Sequence, residues 1–122
     1  MKRVIIAGGR DFNDYEYLSK SVDDFINENF QCETITIVSG NARGADKLGE
    51  RYARERGYIV EKYPADWDKY GKAAGFINNE QMISVSDGAI MFWDGSSQGT
   101  KHSIELARKK GLICDVKMYN QR

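Results

Sequence analysis

Short apolar runs in this chain stop repeatedly at clusters of Gly, Ser, Asp or Arg, after which the sequence resumes with helical periodicity. Five runs read as strands, over 3–7, 34–38, 58–62, 88–92 and 114–118. The first, second and fourth are nearly continuous in apolar residues, as in strands covered on both faces. The third and fifth alternate, as at sheet edges. Helical stretches lie between them, over 14–29, 44–56, 75–85 and 100–110. Leu18, Val22, Phe25 and Ile26 share one face of the first, with Asp14 at its N-cap position. Leu48, Tyr52 and Ala53 mark the second, which closes at Gly57. Phe76, Ile77, Met82 and Ile83 mark the third. Ile104, Leu106 and Ala107 mark the fourth, which closes at Gly111. Strict strand–helix alternation with short connections implies right-handed crossovers and a sheet between two helical layers. The expected fold is an α/β three-layer sandwich, a single domain over 1–122, with five mostly parallel strands in the order 3-2-1-4-5.

In that order the chain reverses direction between strands 1 and 4, and ligands bind beyond the C-terminal strand ends at such a switch. The polar clusters fall there. A glycine-rich loop opening a helix offers bare N–H groups beside a positive dipole end, which suits phosphates and other anions. After strand 1, Gly8 and Gly9 allow close backbone approach, and Arg10 and Asp11 supply charge. GxGxxG is absent, and strand 2 does not end in an acidic residue, so this is not the dinucleotide fingerprint.

After strand 2, Ser39, Gly40, Arg43, Gly44 and Asp46 form a second candidate cradle. It lacks the Gly-Lys-Ser/Thr ending of a nucleoside-triphosphate loop. Asp46 reads equally as a ligand contact or as a charge complementing the helix start. After strand 4, Trp93, Asp94, Gly95, Ser96, Ser97, Gly99 and Thr100 combine an aromatic, a carboxylate and a hydroxyl-rich turn. Trp93 reads as a base-stacking ring or as a core or interface residue. The connection 64–75 is long enough for a binding loop or lid, with Asp66, Trp67 and Lys72 as candidate contacts to ribose, base and phosphate; an interface or helix-capping loop is the alternative. Asn78 and Asn79 open the next helix and add amide groups. His102, the one imidazole, has no evident partner for acid–base work and reads as a packing or surface residue.

Composition narrows the partners. Eighteen basic and eighteen acidic residues leave no net field to recruit nucleic acid or an anionic membrane. No apolar stretch approaches the roughly 20 residues of a membrane span. The apolar part of Met1–Ala7 is too short for a signal sequence and reads as the first strand. With one histidine and two cysteines, Cys32 and Cys114, outside any metal-like spacing, no metal site and no cofactor are expected, and a reducing cytoplasm is the natural compartment.

Together GGRDF, SGNARGAD, the PADW…GKAAG…NN…M stretch and FWDGSSQGT resemble, in order and over nearly the whole chain, the YspA/YpsA-like branch of the SLOG superfamily. That superfamily also includes the LOG-type phosphoribohydrolases and DprA. The resemblance implies a Rossmann-like fold, homo-oligomers, nucleotide-derived ligands and, in some members, sensing of ADP-ribose-type signals in conflict between bacteria and phages. LOG-type hydrolases carry a PGGxGTxxE motif whose glutamate serves N-glycosidic cleavage, and Ser103 occupies that glutamate's position here. Asn78 stands where the branch carries an arginine. The expected function is therefore non-catalytic binding of a nucleotide, ADP-ribose or cyclic ADP-ribose-type molecule, as a sensor or sequestering protein. A nucleoside monophosphate phosphoribohydrolase is the alternative, with Asp11, Asp46, Asp66 and Asp94 as its available carboxylates, and DprA-like nucleic-acid binding ranks third.

Overall fold

A computed structural model describes residues 1–120. Five strands, β1 (Lys2–Gly8), β2 (Ile35–Ser39), β3 (Ile59–Lys62), β4 (Gly88–Trp93) and β5 (Ile113–Met118), form one sheet in the order β3-β2-β1-β4-β5. All four pairings are parallel, with Val4 opposite Ile37 and Ile6 opposite Ile90 in the central registers. The order is the expected one, and the sheet is wholly rather than mostly parallel.

Side chains alternate across a strand, so the apolar run of β1 feeds both helical layers. Val4 and Ile6 enter a core with Leu18, Val22 and Phe25 of α1 (Tyr15–Asn29) and Tyr52 of α2 (Ala45–Arg56). Ile5 and Ala7 enter a second core, with Met82 and Ile83 of α4 (Ala74–Val85) and Ile104 of α5 (Gln98–Lys110). Ile59 on edge strand β3 is 64% exposed. Helix ends follow local chemistry. Asp14 accepts the Tyr17 N–H at 3.1 Å, and Gly57 and Gly111 close α2 and α5 in the left-handed conformation.

Three expectations change. The long 64–75 connection contains helical structure of its own: Asp66 caps a short helix, α3 (Trp67–Tyr70), as the helix-capping alternative has it, and a 3-10 turn at Gly71–Ala73 leads into α4. Helix α5 begins at Gln98, two residues before the expected start, with Ser97 at the N-cap position and no side-chain capping bond. Phe76 is 47% exposed rather than part of the buried apolar face, and its ring lies edge-on to His102 at 4.6 Å. Among the described residues no helix is long and apolar enough to cross a membrane.

Candidate functional site

Strands β1 and β4 are neighbours, and the chain leaves them for opposite faces of the sheet, so a crevice opens beyond their C-terminal ends. A cleft of about 1040 Å³ occupies this place. Gly8, Gly9, Arg10, Asp11, Gly40, Arg43, Asp46, Trp67, Lys72, Asn79, Asp94, Ser97, Gly99 and Thr100 all line it. Ser39, Gly44, Asp66, Trp93, Gly95 and Ser96 do not.

The first two loops are stapled together. The Gly9 carbonyl accepts both the Phe12 N–H at 3.3 Å and the first N–H of α2, from Ala45, at 3.2 Å. Gly44, at φ 76°, lies against the Gly9–Arg10 backbone, where a Cβ would have no room. Its role is close loop packing, which is why it misses the cleft. Phe12 stacks on Phe92 at 4.8 Å, anchoring the loop in the core and leaving Arg10 exposed. Asp11 is held by Tyr119, whose hydroxyl donates to Oδ1 at 2.6 Å. Burial, with Asp11 next, raises the Tyr119 phenol above its usual range and keeps it a donor.

Ser39 is fully buried and turns inward. Its hydroxyl donates to Glu50 Oε2 at 2.7 Å and accepts the Asn41 N–H at 3.1 Å. It therefore shapes the second loop from behind. Asp46, in the first turn of α2, is 6% exposed, and its Oδ2 accepts the Ala42 N–H at 3.3 Å. Burial pushes this carboxyl up to about 7, and the negative charge of Glu50 adds to the rise; the Ala42 and Gly8 N–H groups and Arg10 oppose it. The second cradle thus holds its own carboxyl group where an anion was expected.

The third loop behaves similarly. Asp94 Oδ1 accepts the N–H groups of Ser96 and Ser97, each at 2.9 Å, and these two bonds hold its carboxyl below the usual range. The N–H groups read as phosphate donors are thus engaged internally, and Gly95 and Ser96 face solvent. Trp93 packs on the second core, with its indole N–H donating to the Ser97 carbonyl at 3.1 Å. That contact ties the loop down and takes the ring out of the cleft. What this loop presents is the start of α5 at Gly99 and Thr100, whose first-turn N–H groups lack partners within the helix.

The far wall comes from α3 and α4. Trp67 is 51% exposed at the rim, and Lys72, in the 3-10 turn that follows α3, also lines the cleft. Asp66 is spent as a cap, its Oδ1 accepting the Lys69 N–H at 3.1 Å. Asn79 bridges α4 to α5, its Nδ2 lying 3.3 Å from both the Gly99 carbonyl oxygen and His102 Nδ1. His102 thus has an amide and a Phe76 ring as neighbours, not a carboxylate. Arg10, Arg43 and Lys72 make no ion pair among the described residues.

Sequence reasoning did not select Asn41, Met82, Met91 and Ser103 as site residues, although all line the cleft, and it gave Asn78 only a general amide role. Asn78 precedes the buried Met82 by one helical turn, so helical phase carried a signal for it.

Comparison with known proteins agrees with the architecture. The family described as YspA, cpYpsA-related SLOG matches residues 2–70. The gene 61 protein of Mycobacterium phage D29 is 34% identical over 118 residues, covering 92% of this chain and 93% of that protein. DNA processing protein A (DprA) from Streptococcus pneumoniae superposes with a TM-score of 0.70 at 18% identity over 94% of this chain. This chain spans about half, 49%, of that DprA chain, and at such identity the likeness concerns the fold.

Proposed function

The chain belongs to the YspA, cpYpsA-related SLOG family, and from that premise we propose that its cleft binds a nucleotide-derived small molecule without breaking it. One observation carries the reading. Arg10, Arg43 and Lys72, free of ion pairs among the described residues, line one cleft with the N-terminal turn of α5, and the exposed Trp67 indole stands at its rim. Three cations and a helix N-terminus favour phosphate oxygens, and an indole face favours a base. The acids of the cleft are occupied: Asp11 with Tyr119, Asp94 with two N–H groups, and Asp46 in a burial that favours its neutral form. Sensing or sequestering of a nucleotide signal in conflict between bacteria and phages is part of the same proposal. A homo-oligomer belongs to the same proposal, with exposed Tyr70 and Phe76 as surface for a second copy.

Calorimetry against nucleoside monophosphates, ADP-ribose and cyclic ADP-ribose isomers tests the binding. At least one is expected to bind with quenching of Trp67 fluorescence. Arg10→Ala and Arg43→Ala should each weaken it by about tenfold or more, the worth of one charge-assisted hydrogen bond. Absence of binding by every member would sink the reading. Light scattering tests the oligomer.

The phosphoribohydrolase reading keeps one supporting observation: Asp46 is a buried cleft carboxyl able to exchange a proton near neutral pH. Of the four carboxylates first considered, the other three are a helix cap or are already hydrogen-bonded. Chromatography of nucleoside monophosphates after long incubation decides it; released base that disappears in Asp46→Asn would replace the binder with an enzyme. Nucleic-acid binding in the DprA manner is disfavoured by the balanced charge, and salt-dependent gel shifts would detect it.

A further inference from the structure

The first cleft loop carries an arginine and an aspartate side by side, and they do not pair. Arg10 and Asp11 are both exposed and both line the cleft, yet no ion pair joins them. Arg43 belongs to the same neighbourhood, since it precedes Gly44, which lies against the Arg10 backbone. It too makes no ion pair among the described residues. An exposed carboxylate beside two guanidinium groups would ordinarily be their nearest counter-ion.

Tyr119 claims that carboxylate instead. It directly follows β5, its N–H donates to the Trp93 carbonyl at 3.1 Å, and its ring meets Phe12 edge-on at 4.8 Å. Its hydroxyl donates to Asp11 Oδ1 at 2.6 Å and lies against Gly9, where a Cβ would overlap it. Glycine at position 9 is what lets the hydroxyl reach the carboxylate. Phenylalanine would present the same ring to Phe12, so packing does not account for the hydroxyl. Nor does Tyr119 line the cleft, whereas Gly9, Arg10 and Asp11 do, so the hydroxyl acts on the cleft through Asp11. A hydrogen bond to a charged group is worth more than an exposed ion pair, and the phenol therefore outcompetes the arginines.

We propose that Tyr119 is a positioning residue: by holding the Asp11 carboxylate it keeps Arg10 and Arg43 unpaired for the phosphate of a ligand. The inference rests on the nucleotide-binding reading and adds how the cleft keeps its cations free although its first loop carries an acid. Without the Tyr119 bond, Asp11 would turn to Arg10 or Arg43, and a phosphate would have to displace it.

Calorimetry on the full chain tests it, with whichever of the nucleoside monophosphates, ADP-ribose and cyclic ADP-ribose isomers the parent binds most tightly. Tyr119→Phe, which keeps the ring, should weaken binding by about two- to fivefold, the worth of an exposed ion pair that phosphate must now break. In an Asp11→Asn background the same substitution should have no effect, because no carboxylate remains to compete. A hydroxyl that merely braced the loop would be missed equally in both backgrounds, since asparagine also accepts the tyrosine hydrogen bond. Equal weakening in both backgrounds, or none in either, would overturn this inference while leaving nucleotide binding intact. Weaker binding by Asp11→Asn alone would make Asp11 a ligand contact and overturn it as well. Binding of no member of the set by the parent would overturn both readings.

Discussion

Gly44→Ala is expected to destabilise the chain by about 2–4 kcal/mol and to abolish ligand binding in whatever fraction stays folded. Two costs combine. At φ 76° and ψ −127° the backbone lies outside the left-handed helical well, in a region almost confined to glycine, which costs another residue at least about 1 kcal/mol. The added Cβ would also collide with the Gly9 carbonyl oxygen and lie 2.7 Å from that of Arg10. Those atoms cannot readily yield, because the Gly9 carbonyl holds Phe12 and Ala45 while the Gly9 N–H bonds the Phe92 carbonyl at 3.0 Å. Forced overpacking of this kind typically costs about 1–3 kcal/mol. Gly57→Ala is the comparison: at φ 75° and ψ 21° it sits in the left-handed helical region, a milder demand than that at Gly44, and nothing lies within 4 Å of the new Cβ, so only that conformational cost applies. Urea unfolding of both variants checks the argument. Equal losses would show that the two loops are not packed as tightly as the geometry requires.

Asp46→Asn is expected to be more stable than the parent at pH 8 and to lose that advantage on acidification. The folded carboxyl titrates near 7, against a reference value of 3.8. Between those values the folded chain holds a proton that the unfolded chain has released. Parent stability therefore falls as pH rises from about 4 to about 7 and levels off above. At about 1.4 kcal/mol per unit the three-unit gap amounts to at most about 4 kcal/mol. Asparagine does not titrate, so the difference between variant and parent isolates this one group from the other carboxylates. Chemical unfolding at pH 5, 6, 7 and 8 reads it out, and parallel profiles would refute the claim that burial of Asp46 outweighs the hydrogen bonds it accepts. A cleft carboxyl whose burial costs stability at neutral pH is a candidate for a site's chemistry.

The strand order and the position of the cleft were legible in the sequence because they follow from periodicity and connection length. Apolar runs such as 3–7 fit only a strand covered on both faces, and short crossovers of one hand leave few orders for five parallel strands. Glycine clusters at the strand ends then had to meet at the switch between β1 and β4. Fourteen of the twenty residues named in advance line the cleft for this reason. The other six are each engaged elsewhere. Ser39 turns inward to Glu50, Asp66 caps α3, Gly44 packs on Gly9, Trp93 lies on the core, and Gly95 and Ser96 are turned to solvent by the Asp94 turn.

By itself, then, the sequence determined the sheet, its order and the crevice, since each depends on patterns a few residues long. Which groups in the crevice are free to meet a ligand was decided only in three dimensions. Asp11 is claimed by Tyr119, 108 positions along the chain, and Gly40 is packed closely against side chains of α2 and α4. A polar atom is available only when no other part of the fold satisfies it, and the nearest satisfier is set by tertiary packing rather than by neighbours in sequence.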